Sequence, residues 1–421
     1  MARALYTLCL VALLPWALLH LLLRARRQPE YRRHWGERFG RFAGLSRPPG
    51  PLIWIHAVSV GETRAAQPLV AALRRRFPGH ALLFTHMTPT GRQTGIELFG
   101  ETVLRAYLPY DTPWAVARFL EHFRPSFGLI METELWPNLV ATCRRRHLPL
   151  MLVNGRLSER SARRYGLFPA LTRQALAGLA GIGVQAEADA ARLAALGARE
   201  LRITGNLKFD IAPPEGQAAV AAGFRCRLGG RTTFLCASTR EGEEAPILAA
   251  WRRWRPTGAL LLLVPRHPQR FEAVAALVAD AGYRCQRRSD EAPVGPDTEV
   301  WLGDSMGEMF AYYGAADLAF VGGSLLDYGS QNLIEPCSVG VPVLLGPSTF
   351  NFAEAAREAL AAGAALQVAD AEELARLAGN LLADGDTRRR MGAAGREFSV
   401  RHRGATERTL ALIEETIRAA Y

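Results

Sequence analysis

The 421-residue sequence predicts an α/β protein of two doubly wound domains preceded by an N-terminal membrane helix. Three observations carry that prediction. Short apolar, strand-like runs alternate with helically spaced segments from residue 51 to about 205, the pattern of βαβ units and a parallel sheet. The alternation breaks at IAPPEG, residues 211–216, and restarts at Thr233. Residues 4–23 hold 20 residues without a formal charge, enough to cross a bilayer as a helix.

The apolar segment is followed at 24–47 by eight arginines against Glu30 and Glu37. The positive-inside rule then puts the later domains on the cytoplasmic side, with the basic stretch against anionic headgroups. Pro15 and His20 interrupt the run, so monotopic insertion is the alternative to a span. A cleaved signal peptide does not fit, because its charges should precede the apolar core.

Composition narrows the function further. The net charge of +11 comes without any DNA- or RNA-binding signature, and no nucleic-acid partner is expected. Six cysteines lie scattered with no C-x-x-C, which points to small core residues in a reducing compartment and to no metal site. Lys208 is the chain's single lysine beside 50 arginines. Where a generic cation serves, this chain uses Arg, so the ammonium that remains is a candidate for a task guanidinium cannot perform.

In the first domain, strand-like runs fall at 52–55, 81–85, 103–108, 128–131, 150–153, 181–184 and 201–203. The SVGE run at 59–62 lies on the loop after the first strand, where open α/β folds place reacting groups. Glu62 there is either a general base or a residue drawn to a first helical turn by the helix dipole. METELWPN at 131–138 follows the strand at 128. On an extended segment Glu132 and Glu134 alternate, so only one of them faces a cleft. NGRLSERSARRY at 154–165 gathers four arginines, for a polyanionic acceptor or a solvated helix face. GNLKFD at 205–210 ends the last strand and places Lys208 where its charge can neutralise a departing phosphate.

The second domain has strand-like runs at 233–237, 260–264, 300–302, 318–321 and 342–345. Three of its strand-end loops suit a nucleotide. STREGEE at 238–244 opens a helix, VPRHPQR at 264–270 carries Arg266 and His267, and a glycine-rich loop at 321–336 leads to a helix whose first turn carries Asn332 and Glu335. Two other patterns fail: AVSVG at 57–61 lacks the first Gly of a nucleophile elbow, and Asp384-Gly-Asp386 reads as a turn.

Together these blocks resemble the 3-deoxy-D-manno-octulosonic acid (Kdo) transferases of lipopolysaccharide synthesis. The resemblance runs through HAVSVGE, METELWPN, NGRLSERS, GNLKFD, STREGEE, PRHPQRF, DSMGEM, FVGGSL, QNLIEP and GPSTFNF. It implies a GT-B fold, two Rossmann-like domains facing a cleft. The implied segments are a membrane anchor with its basic stretch at 1–47, an acceptor-binding domain at 48–211, a CMP-Kdo-binding domain at 217–385, and C-terminal helices at 386–421 packing back toward the first domain.

The resemblance also implies a reaction: inverting transfer of Kdo from CMP-Kdo, the donor substrate, to a lipid A precursor at the cytoplasmic face of a bacterial inner membrane. No cofactor is implied. Glu62 takes the role of general base, and Glu132 and Lys208 stabilise the transition state. Pro265, Arg266, His267, Met306, Gly307, Glu308, Asn332, Leu333, Ile334 and Glu335 contact CMP. Gln331 and Arg240 depart from the family's usual histidines in GGHNPLEP and STHEGEE, and Gly155 replaces a common Ala. The alternative is another GT-B enzyme that uses a UDP-sugar, a transferase or an epimerase.

Overall fold

The computed structural model describes residues 2–211 and 215–420 and divides into two units, 1–211 with 403–421 and 212–402. In the first unit β1 (Leu52–His56), β2 (Ala81–His86), β3 (Leu104–Tyr107), β4 (Phe127–Met131), β5 (Leu150–Gly155), β6 (Gly181–Val184) and β7 (Leu201–Ile203) form one parallel sheet in the order 3-2-1-4-5-6-7. The strand order reverses between β1 and β4. Loops at the carboxyl ends of these two strands therefore open on the switch point where such sheets bind ligands.

Every residue of β1, β4 and β5 is buried, as a sheet covered on both faces requires. Trp54 on β1 packs edge-on against Phe119, and its indole N–H donates to Thr85 Oγ1 at 2.8 Å. Gly128 on β4 has no room for anything larger, because a Cβ there would meet the Trp54 ring at 2.6 Å.

The second unit repeats the plan. β8 (Thr233–Thr239), β9 (Leu260–Pro265), β10 (Cys285–Arg287), β11 (Val300–Leu302), β12 (Leu318–Val321), β13 (Val343–Leu345) and β14 (Ala365–Gln367) pair in parallel in the order 10-11-9-8-12-13-14. Its switch point lies between β8 and β12. Gly322 lets the loop after β12 press onto the end of β8, since a Cβ would stand 2.6 Å from the Ser238 carbonyl oxygen.

The expected C-terminal boundary shifts. The helix Gly385–Arg401, expected to pack back on the first domain, belongs to the second unit, where Met391, Gly395 and Phe398 are buried. A Cβ at Gly392 would clash with the Gly340 carbonyl at 2.3 Å, so small residues fix this helix to its own unit. Only the helix Ala405–Ala420 joins the first unit. Asp210 caps it, accepting from the Gly404 and Thr406 amides at 2.7 and 2.6 Å.

Candidate functional site

Ser59 caps the helix Val60–Ala65 that leaves β1, its hydroxyl accepting from the Glu62 amide. The same hydroxyl donates to Glu62 Oε1 at 2.9 Å, and the Val58 amide donates to Oε2 at 2.8 Å. Glu62 therefore lies in the first turn of this helix and not on the loop expected for 59–62, the placement the helix dipole favours, and two hydrogen bonds hold its carboxyl there. Two hydrogen bonds and the helix terminus favour its ionised form; burial, and then Glu132, oppose it and prevail. The side chain is 9% exposed and its pKa is raised to about 8.

That shift has a consequence for stability. Folding moves this carboxyl from an ordinary value up to about 8, so its neutral form stabilises the fold below pH 4.5 and the contribution is lost as pH rises through 8. Glu62→Gln, which never ionises, is expected to unfold like the parent near pH 4.5 and to exceed it at pH 8, by on the order of a few kcal/mol. Chemical denaturation at the two pH values measures this, and an equal difference at both would contradict it.

The loop after β4 brings the second carboxylate. Glu132 has a left-handed backbone, φ 57°, a conformation that costs a non-glycine residue about 1–2 kcal/mol. The segment is therefore not extended, and the expected alternation of Glu132 and Glu134 fails. Both carboxylates lie close enough to raise the Glu62 pKa, and burial, reinforced by Glu132, raises that of Glu134. Thr133 and Tyr165 hold this loop: Thr133 Oγ1 donates to the Arg156 carbonyl, and Tyr165 donates to the Thr133 carbonyl at 2.9 Å. Helix Glu159–Gly166, with exposed Arg160, Arg163 and Arg164, is thereby fixed beside the carboxylates.

Lys208 arrives from the far edge of the sheet. Its Nζ stands 3.7 Å from Glu132 Oε1, with side chains 14% and 21% exposed. Asn206 Oδ1 accepts from the Lys208 amide, and Asn154 Oδ1 accepts from the Leu207 amide, each at 3.0 Å. Asn154 is fully buried at the end of β5 with φ 54°. No role for its side chain was read from the sequence, although Asn before Gly155 is a signal for a left-handed turn. Glu62, Glu132 and Lys208 are thus brought together in the first unit.

In the second unit Ser238, at the end of β8, and Ser330, in the glycine-rich loop, share the left-handed conformation, φ 56° and 69°. Glu243 ties these loops, accepting from the amides of Arg240, Gly323 and Leu325 at 2.8–3.0 Å. Arg240 Nη1 lies 2.9 Å from His267 Nε2 and its guanidinium covers the Tyr328 ring. Arg266 donates from Nε to Gln331 Oε1 at 3.1 Å. Arg240 and Gln331, two of the three positions that depart from the family pattern, therefore join one cationic cluster with Arg266 and His267. Burial first, then Arg240, Arg266 and Arg270, holds His267 below its usual value.

The remaining expected nucleotide residues divide. Pro265, Leu333 and Ile334 are buried, so their side chains are packing and only backbone is left to a ligand. Asn332 precedes the helix Ile334–Val339 rather than lying in its first turn; it accepts from the Ile334 amide at 3.0 Å and donates to Glu335 at 3.1 Å. Met306 and Gly307 form an exposed turn, while both oxygens of Glu308 are engaged by Arg288, at 3.0 and 2.9 Å, and one also by Ser305. Arg288, which holds Glu308, carried no signal in the sequence.

Glu244 and Arg270 join the first two loops of this unit by a bidentate pair at 2.5 and 2.9 Å, with the Glu244 side chain wholly buried. Arg270→Ala leaves that carboxyl without its partner. A loss of about 3–5 kcal/mol in unfolding free energy is expected, and a loss below about 1 kcal/mol would show that the pair does not hold the loops.

Residues 33–211 match the family model of the 3-deoxy-D-manno-octulosonic-acid transferases (kdotransferases), and residues 260–398 match the glycosyl transferases group 1. A 3-deoxy-D-manno-octulosonic acid transferase from Bordetella pertussis is 46% identical over 430 residues, 99% of each chain. One from Haemophilus influenzae is 39% identical over 420 residues, 98% of each. Among solved structures, a glycosyltransferase from Rickettsia africae superposes with a TM-score of 0.59 at 13% identity, over 88% of this chain and 99% of its own, a likeness of GT-B-like fold alone.

Proposed function

The chain belongs to the 3-deoxy-D-manno-octulosonic-acid transferase family and is a glycosyltransferase, and from that premise we propose that it moves Kdo from CMP-Kdo to a lipid A precursor with inversion at the anomeric carbon. The observation that carries the reading is the buried Glu62 carboxyl, raised to about 8, beside the Glu132–Lys208 pair at the switch point of the first sheet.

Glu62 accepts the proton of a glucosamine 6-hydroxyl as that oxygen bonds to the anomeric carbon from the face opposite the phosphate. The bond to the phosphate breaks with its electron pair on CMP. Glu132 and Lys208 offset charge that develops on the sugar in flight. Arg266, Arg240 and the loops around Asn332 and Glu335 receive the nucleotide and its anionic groups. The exposed arginines of Glu159–Gly166, held beside the carboxylates through Tyr165, suit the phosphates of such an acceptor. The N-terminal apolar helix and the basic stretch after it keep the enzyme at the cytoplasmic face of the inner membrane, where this acceptor resides.

Incubation of the purified protein with CMP-Kdo and a tetraacylated lipid A precursor, followed by mass spectrometry, tests this. The expected product carries one or more Kdo residues and appears with equivalent CMP. Turnover of a UDP-sugar in place of CMP-Kdo would contradict the reading.

A further inference from the structure

The N-terminal helix, Ala2–Arg27, is apolar enough to span a bilayer, yet its contacts do not suit a span. Leu5, Leu8, Leu13, Trp16, Leu19 and Leu23 are 48–67% exposed. Thr7, Leu10, Leu14, Ala17, Leu21 and Ala25 are partly or fully covered, at steps of three and four. That spacing marks one face laid against something along the helix, where a free helix would have none. What covers it is the first unit, through the helices Pro137–Arg145 and Pro169–Leu176.

Polar contacts fix the start of the helix. Thr7 Oγ1 accepts from Asn138 Nδ2 at 2.9 Å, and Tyr6 hydrogen-bonds Asp111, which also accepts from the Asn138 and Leu139 amides. At the other end the chain enters the same unit, where Tyr31 covers Leu21 and Ala25 together with Trp35 and Tyr110. Were the helix to span, residues 6 and 7 would lie about 27 Å from Arg24, on the far side of the bilayer. They are instead bonded to the unit that Arg24 leads into.

A second apolar element accompanies the first. Leu167 and Phe168 are 72% and 65% exposed in the turn before Pro169–Leu176, a helix that touches the N-terminal one. Arg160, Arg163 and Arg164 precede that turn, and Arg24, Arg26, Arg32 and Arg33 end or follow the N-terminal helix, all exposed. Apolar tips rimmed by guanidinium groups match one partner, a leaflet with anionic headgroups.

From this we infer that Ala2–Arg27 lies in the plane of the membrane, docked on the first unit, with Leu167 and Phe168 entering the same leaflet. The inference rests on the membrane location proposed above and deepens it: the anchor is part of the acceptor-side unit, so the lipid surface is set at a fixed height relative to Glu62.

The test uses the full chain with Cys9→Ser and Cys285→Ser and a cysteine on a short Gly-Ser extension ahead of Met1, bound to sealed vesicles containing anionic phospholipid. An impermeant maleimide is added, and intact mass counts the labels per molecule. Cys226, free and exposed on the second unit, reports the side that unit occupies. Labels on both cysteines of the same molecules, without lysis, are expected. Molecules labelled at one cysteine only, the other reacting after lysis, overturn the in-plane helix. A chain that stays in solution beside the vesicles overturns the membrane location itself. A second variant, Leu167→Glu with Phe168→Glu, should weaken partition to these vesicles about tenfold; unchanged partition removes that turn from the membrane face.

Discussion

Glu62→Gln is expected to lower kcat by about 10³-fold, the scale of a lost general base, which corresponds to about 4 kcal/mol of transition-state stabilisation. KM for either substrate should change little. The glutamine keeps the size of the side chain and an oxygen for the Val58 amide, and its amide group can still pair with Ser59, so the helix at Val60–Ala65 keeps its cap. The loss then belongs to proton transfer. Steady-state kinetics on the folded variant decide it, and turnover within about threefold of the parent would remove Glu62 from the mechanism.

The second large effect is expected at Lys208. Lys208→Ala should cost about 10²-fold or more in kcat, because it removes the ammonium paired with Glu132 at 3.7 Å. Lys208→Arg should not restore it. The side chain is 14% exposed in a loop pinned by Asn154 and Asn206, and the wider guanidinium fork cannot occupy the space of a compact ammonium. Full activity of Lys208→Arg would reduce the lysine to a generic positive charge. Circular dichroism of both variants separates a lost fold from a lost charge.

Most of the sheet architecture was legible because its central strands, β1, β4, β5 and β9 among them, are buried on both faces and read as continuous apolar runs. The two strands that were not, β10 and β14, are three-residue edge strands with at least two residues out of the core, and they offer no such run. Glu62, Glu132 and Lys208 were legible one by one, yet their meeting was not. Lys208 follows β7, three strands away from β4 in the sheet, about 14 Å at ordinary strand spacing. On that return the buried Asn154 Oδ1 accepts from the Leu207 amide and Leu207 packs into the core. Glu132 and Glu134 were misread for a local reason: alternation assumes extended backbone, and Glu132 is left-handed.

In the second unit, chemistry-bearing residue types marked the loops correctly as strand ends but did not tell ligand-facing side chains from packing. Leu333 and Ile334 belong to the core, and Glu308 is committed to Arg288. The departures at Arg240 and Gln331 looked independent along the chain. In the fold they are partners in one cluster, where burial first and then the neighbouring guanidinium groups hold His267 below its usual value.

The pH dependence of kcat/KM with CMP-Kdo and a lipid A precursor is the most direct test that burial makes Glu62 the base. The rate should rise with pH along a limb of apparent pKa about 8, as the carboxyl ionises, and Glu62→Gln should abolish that limb. A limb that persists unchanged in Glu62→Gln, or a rate already flat from pH 6 upward in the parent, would contradict the account.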